Sequence, residues 1–318
     1  MSARPGQVGV LDVGSFSAHL VVVSGSPLHQ VVSHKTRLRL DRALGRDNRL
    51  RPEGVEQIVT AVRTARRVAE RAGVPHVVPF ATSVIRDARN ADQVIAEVAR
   101  RTGTLLRVLP GQEEARLAYQ AARQWFGWHV GPLLVLDVGG GTVELAASQD
   151  AEPSLARSLP LGARSLTRRL GLRHGGHLDP RDLAREQVAV HDMVLAALDG
   201  TSVAGHQAVG CSKVFQQLAR LAGARPQHDG PFVPRTLRRS DLRGWIPKLA
   251  RMPAPKRARL PGISRHRAEQ SLAGALVAEA LMVATGHEEV RICPWSTREG
   301  LLLSLLGTGD DDESYRVA

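Results

Sequence analysis

Val8–Ser24 (VGVLDVGSFSAHLVVVS) and Leu133–Ser148 (LLVLDVGGGTVELAAS) are two versions of one pattern. Each has an apolar arm, then Asp-Val-Gly, then two or three small residues, then a second apolar arm, which reads as strand, glycine turn, strand. Asp12 and Asp137 stand 125 residues apart. That is about the length of one domain, so the repetition predicts a duplicated α/β unit rather than a short repeat array.

Working outward, Pro52–Ala72 is an amphipathic helix with apolar Val55, Ile58, Val59, Val62 and Val68, opened by proline and closed by Gly73. The pattern then predicts a strand at 77–80, a turn at 81–86, a helix at 91–100, a strand at 105–109 and a helix at 113–124. After the second copy it predicts a strand near 154–160, helices at 163–170 and 179–198, a strand at 207–209, and helices at 211–222 and 264–285. Seven prolines between residues 223 and 263 imply short helices and loops there. Such alternation supports α/β layers. Domains are expected at 1–125 and at 126–305, the latter with a helical insert, followed by a C-terminal tail at 306–318.

The chain has 318 residues and 43% hydrophobic content, enough for two cores, so disorder, collagen and small disulfide scaffolds are excluded. Its net charge is +12, and only four of 43 cationic residues are lysine. A guanidinium-rich surface suits polyanionic partners, although composition alone speaks to encounter rather than to fold. Cys211 and Cys293 form no disulfide framework and no zinc-like spacing, and packed thiols are the expectation. With no apolar run of membrane-spanning length and no signal segment, a soluble cytoplasmic protein without membrane contact is expected. Aromatics at 3% are too few for the stacking platforms of a single-strand nucleic-acid binder, so no nucleic-acid partner is expected.

A glycine after a buried strand and an aspartate can form a turn whose successive N–H groups make a nest for phosphate oxygens. One Asp-x-Gly turn is ordinary turn chemistry. Two in register at the start of two α/β units suggest paired phosphate loops facing one another across a cleft. Asp12 and Asp137 would then lie beside an anionic ligand, which implies Mg2+ between carboxylate and phosphate. Glu144 points back toward the same space if the second arm is a strand. The acidic residues of Pro110–Arg116 open a helix, where they complement its dipole in any case.

The segments VLDVGS, ATSVIRDARN (81–90), GQEEARLAY (111–119), VLDVGGGTVEL, LPLGARSLT (159–167), PGISRHRAEQSLAGALVAEAL (261–281) and REGLL (298–302) occur in this order. Together they resemble the Ppx/GppA exopolyphosphatase/guanosine pentaphosphate phosphatase family. ICPWSTREG and CSKVFQQLARLAG look most like its short actinobacterial branch.

The resemblance implies two ribonuclease-H-like domains of the actin/sugar kinase/Hsp70 superfamily with an inter-domain cleft. It also implies hydrolysis of terminal phosphoanhydride bonds of inorganic polyphosphate. Glu114 matches the family's catalytic base, with Glu144 as acidic partner of metal and water. Asp137, Gly139, Gly140, Gly141 and Thr142 match the second phosphate loop, Asp12, Gly14 and Ser15 the first, and Arg86 the arginine of Ala-Thr-x-x-x-Arg. Asp12, Asp137 and Glu144 are the expected Mg2+ ligands. A homodimer and a preference for short chains are also expected. Phosphoryl transfer asks a protein mainly for positioning and charge stabilisation, which this set supplies.

Two departures stand out. Phe16 occupies the place of the family's usual Asn, which puts an aromatic at the expected cleft mouth. Val209–Lys213 carries one glycine where the superfamily's adenosine turn has two, so a nucleotide should fit poorly. Alternatives are hydrolysis of guanosine pentaphosphate to tetraphosphate, or a weakly catalytic sensor of polyphosphate or alarmone. Arg235–Arg267 carries eleven basic residues, either a track for a polyanion or a set of solvated helix faces. Lys213 is either a phosphate contact or a solvated cation, and His174 and His177 read as a glycine-rich loop.

Overall fold

The computed structural model describes residues 6–74, 76–172 and 178–307. His174, His177 and the chain beyond 307 lie outside the described residues. Two compact units divide the chain, one running to Pro110 and resuming at Arg298, the other spanning Gly111–Thr297.

In the first unit, β1 (Gln7–Val13), β2 (Ser17–Ser24) and β3 (Gln30–Arg37) precede α1 (Leu40–Ala43) and α2 (Pro52–Arg71). β4 (Val77–Ala81), α3 (Ser83–Arg86), α4 (Ala91–Thr102) and β5 (Arg107–Val108) follow. The sheet order is β3-β2-β1-β4-β5. β2 runs antiparallel to both neighbours because tight turns join it to them, whereas α2 carries the chain over to a parallel β4. Leu11, Val13, Leu20 and Val22 share a core with Ile58, Val59 and Val62 of α2. Strand alternation puts Asp12, His19 and Lys35 on the opposite face.

The second unit begins with α5 (Gly111–Phe126) and continues through β6 (Leu133–Val138), β7 (Val143–Ser148), β8 (Leu155–Leu159), α6 (Ala163–Arg169) and α7 (Pro180–Leu198). Then come β9 (Gln207–Gly210), α8 (Ser212–Leu221), β10 (Thr236–Arg238), α9 (Arg239–Arg251), α10 (Ala254–Arg257), α11 (Ser271–Ala284) and β11 (Glu289–Ile292). Read from β8, the sheet runs β8-β7-β6-β9-β11, the order of the first unit, with β10 added at the edge. Both units are thus mixed α/β sheets of ribonuclease-H-like order. α12 (Thr297–Gly307) begins at the end of the second unit and continues into the first.

Every residue of β6 and β7 is buried. Leu134, Leu136 and Val138 join the core formed with α8 and α11, while α5 also packs on β6, β7 and β8. A strand covered on both faces needs a continuous apolar run, which explains why LLVL and VELAAS do not alternate.

The boundary expected after residue 125 falls at the C-terminal end of α5 and would leave that helix with the first unit. That helix packs on the second sheet, so the division comes at Pro110 instead. The helix expected over 264–285 is a short turn at Ala268–Gln270 followed by α11. β3, a polar edge strand, and β11 give too little hydrophobic signal to be read from sequence. Among the described residues no helix is long and apolar enough to cross a membrane.

Candidate active site

The β6–β7 hairpin pairs Asp137 with Glu144 and Val138 with Val143, leaving Gly139, Gly140, Gly141 and Thr142 as a four-residue turn closed by Gly139 N–H donating to Thr142 O at 2.9 Å. The turn's carbonyls face the start of α6. Gly141 O accepts from Gly162 N at 2.9 Å, Gly139 O from Ala163 N at 3.0 Å, and Gly140 O from Arg164 N at 2.8 Å. No backbone carbonyl among the described residues accepts from the N–H groups of Gly140, Gly141 or Thr142. With carbonyls consumed on one side and amides left on the other, the turn has the polarity of an anion nest.

Gly162 makes this possible. A Cβ there would lie 2.4 Å from the carbonyl carbon of Gly141 and 2.5 Å from the carbonyl carbon and oxygen of Gly140. No side chain fits against that backbone, so α6 can approach the loop only through glycine.

Glu114 sits in the first turn of α5, on the buried stripe that includes Ala115, Ala118 and Ala122. Small residues let the helix lie close to the sheet, and Tyr119 fixes its rotation by donating from its hydroxyl to Ser148 O at 3.0 Å and Asp150 O at 2.7 Å. Arg123 adds a bond to Ser148 O at 3.2 Å.

Glu114, Asp137 and Glu144 are 5%, 7% and 6% exposed. Burial first, then the neighbouring charges of Glu114 and Asp137, push the Glu144 carboxyl well above the ordinary range. Thr142 and Ser158 act in the other direction, Ser158 Oγ donating to Glu144 Oε1 at 3.0 Å. Asp137 Oδ2 accepts a hydrogen bond from Ser296 Oγ. A buried carboxyl whose carboxylate neighbours raise its proton affinity is disposed to hold a proton at neutral pH unless positive charge is brought to it.

The first loop repeats the turn. Val13 pairs with Ala18, and Gly14 N–H donates to Ser17 O at 2.9 Å. Here too a following segment takes the carbonyls, with Leu40 N donating to Ser15 O at 3.0 Å and Leu38 N to Phe16 O at 2.9 Å. Asp12 Oδ1 is enclosed and accepts no hydrogen bond among the described residues. Burial pushes the Asp12 carboxyl up to about 6; Glu299 reinforces the rise, and Arg298 and Lys35 oppose it. Arg298 donates to His19 Nδ1 at 2.7 Å and, from Nε, to Glu299 Oε1 at 3.0 Å. Burial works to lower the Arg298 pKa, but Glu299 and Asp12 raise it overall, so the guanidinium stays charged.

The sites of the second loop and Glu114 therefore come together in one unit, and those of the first loop in the other. Arg86 closes α3 just beyond Thr82, whose N–H donates to Val13 O at 3.2 Å. Its guanidinium pairs with Asp87 at 2.8 Å and donates to Leu109 O at 3.1 Å. Phe16 is buried rather than an aromatic at a mouth. In the 209–213 turn, Ser212 holds φ +71° where a glycine would be at ease, and a Cβ on Gly210 would lie 2.5 Å from the Phe215 ring.

The basic stretch 235–267 is not a uniform cationic track. Arg235, 6% exposed, donates to the carbonyls of Arg225, Val233, Pro226 and Gly230, and Arg257, 1% exposed, donates to Met252 O. Both hold loops together. Arg238 and Arg239 pair with Glu289 and Glu288.

Among the described residues no three His, Cys, Asp or Glu side chains gather as a complete metal cage. Mg2+ needs less, because it keeps several waters and takes one or two carboxylates together with substrate phosphates. Within the first unit the enclosed Asp12 Oδ1, and within the second the neighbouring Asp137 and Glu144, are carboxylates of the kind such a cation takes. Sequence reading gave no role to Gly162, Ser158, Ser296, His19 or Arg298. All but Ser158 lay inside quoted segments, and nothing in the spacing marked them out.

The chain matches the model of the Ppx/GppA phosphatase family over residues 20–308. It is 42% identical to exopolyphosphatase 1 of Mycobacterium tuberculosis over 315 residues, covering 96% of this chain and 90% of the relative. The crystal structure of an exopolyphosphatase from Cytophaga hutchinsonii superposes with a TM-score of 0.81 at 19% identity, over 96% of this chain and 99% of that one. The Aquifex aeolicus Ppx/GppA family member gives 0.77 at 21%, over 97% and 100%. These two likenesses establish a shared fold.

Proposed function

Because the chain belongs to the Ppx/GppA phosphatase family, we propose that it is an exopolyphosphatase in which Glu114 activates the attacking water. The water oxygen attacks the terminal phosphorus of inorganic polyphosphate, its proton passes to Glu114, and the bridging P–O bond breaks. The shortened chain leaves with the electron pair, and orthophosphate is released. One observation carries the reading: a buried carboxylate at the start of α5 lies in the electrostatic reach of Glu144, whose neighbour across the hairpin, Asp137, opens a loop with its amides turned outward.

The N–H groups of Gly140, Gly141 and Thr142 would bind the terminal phosphate oxygens, preorganised donors that need no rearrangement during reaction. Asp137 and Glu144, with Asp12 of the first unit, would hold Mg2+, which supplies neutralisation of phosphate charge. Ser296 and Ser158 fix the two carboxylates of the second unit. Asp12, Gly14, Ser15 and Arg86 are assigned to the same substrate end. A kinetic double-mutant cycle between Ser15→Ala and Thr142→Ala tests that assignment, since coupling supports it and additivity overturns it.

The decisive measurement is phosphate release by purified wild type and Glu114→Gln against polyphosphates of several lengths, guanosine pentaphosphate and ATP. The variant should lose polyphosphate hydrolysis by roughly 10³-fold or more while still binding the polymer. A variant that keeps its rate removes Glu114 as base, and a wild type that prefers guanosine pentaphosphate transfers the same chemistry to that substrate.

A further inference from the structure

Asp12, His19 and Lys35 are register partners across β1, β2 and β3, so they form one row on the face opposite the first unit's core. Arg37, two residues on, shares that face and pairs with Ser17 beside the first loop. From Lys35 to Arg51 the chain carries seven cationic residues against Asp41 and Asp47. Arg39 is matched by Asp41 at 3.3 Å, and Arg51 donates to Ala43 O at 3.3 Å. Lys35, Arg37, Arg42 and Arg46 are solvent-exposed.

This segment is fixed at both ends to the elements that handle phosphate. Leu38 and Leu40 bond to the carbonyls of Phe16 and Ser15 in the first loop. At the far end Asn48 Nδ2 donates to Asp87 O at 2.6 Å, and Leu50 N donates to Asn90 Oδ1 at 2.8 Å, in the turn just after Arg86. The segment that carries the cations is therefore tied down by hydrogen bonds at both ends rather than being a free loop. The 235–267 stretch differs, because several of its arginines serve loop structure or ion pairs.

We propose that Lys35, Arg37, Arg42 and Arg46 form a cationic rail that binds the phosphates of a linear polyanion beyond the one being cleaved, an inference that rests on the exopolyphosphatase reading above. Such a rail acts on chain-length preference. Its contribution grows with each phosphate that extends past the loop, and salt weakens it because binding releases counterions from the polymer.

The test compares Arg37→Ser/Arg42→Ser/Arg46→Ser with a matched triple variant on α9, Arg243→Ser/Lys248→Ser/Arg251→Ser. KM is measured for tripolyphosphate and for long-chain polyphosphate, with thermal unfolding as the check on folding. The rail variant should raise the long-chain KM about tenfold, change that for tripolyphosphate far less, and reduce the slope of log KM against log salt by about 2. The α9 variant should match wild type.

Equal effects of the rail variant on both substrates, no effect, or a larger effect from the α9 variant would each overturn the proposal. Anisotropy of fluorescently labelled long-chain polyphosphate reports the rail without turnover. A wild type that releases no phosphate from either substrate defeats the exopolyphosphatase reading, and labelled-polymer binding unaltered in the rail variant defeats the rail.

Discussion

The two hairpins share a turn, a register and a row of three side chains, yet the rows carry opposite chemistry. In the first unit the row is Asp12–His19–Lys35, with Arg298 also bearing on the aspartate. In the second it is Asp137–Glu144–Ser158, with Glu114 as an additional carboxylate. One duplicated backbone thus supports a cation-rich half suited to holding an anion and a carboxylate-rich half suited to gathering a proton or a divalent cation. A shared turn supplies amides in both, and the division of labour comes from the residues across the strands.

If the halves differ in this way, the largest effect belongs to Glu114. Its replacement by Gln should remove roughly 10³-fold or more of phosphate release, measured in single-turnover assays, and a small loss would erase the contrast. Next comes Gly162→Ala. Backbone contact at 2.4 Å must be relieved by displacing the second loop, and a shift on the order of 1 Å costs about 100-fold in turnover. A crystal structure of that variant with the loop unmoved would contradict the account.

Asp12→Asn separates stability from activity. The Asp12 carboxyl binds its proton more tightly in the folded chain than in the unfolded one, so its ionisation costs stability as pH rises from about 4 through 6. In chelator, urea unfolding of Asp12→Asn should show a gain on the order of 2 kcal/mol at pH 8 and none at pH 4, while phosphate release falls. Loss of stability at pH 8 would show that the carboxylate is held by compensating charge. Arg298→Lys keeps the charge but cannot bond His19 and Glu299 together, and about a tenfold rise in KM for polyphosphate is expected. An unchanged KM would remove Arg298 from the anion-holding half.

The smallest effect on turnover is expected for Phe16→Asn. The ring is buried, so the substitution should cost about 2–3 kcal/mol of stability. Turnover per folded molecule should stay nearly unchanged. A large gain would mean that the natural first loop is tuned for binding rather than hydrolysis.

Much of this was legible from sequence because it depends on local periodicity. The apolar arms around Asp12 and Asp137, the proline-started α2 and the acidic first turn of α5 each announce themselves within one window. Gly162 was not legible, since nothing in Leu-Pro-Leu-Gly indicates that its Cα will lie against a loop some twenty residues earlier. Nor was β3, whose polar alternation at a sheet edge lacks a hydrophobic signal, although it carries Lys35 and Arg37. The basic stretch 235–267 attracted attention through composition, yet burial of Arg235 and Arg257 turns those residues into loop supports.

The sequence by itself determined the duplication, the two glycine turns and the identity of the acidic residues, because strand, turn and helix preferences are set by neighbours a few positions away. Tertiary structure alone decided that α5 belongs with the second sheet, that Ser158 and Ser296 orient its carboxylates, and that Arg298 returns to the first loop. Those outcomes depend on which distant backbones pack together and on how much water is excluded between them, quantities that no local window contains.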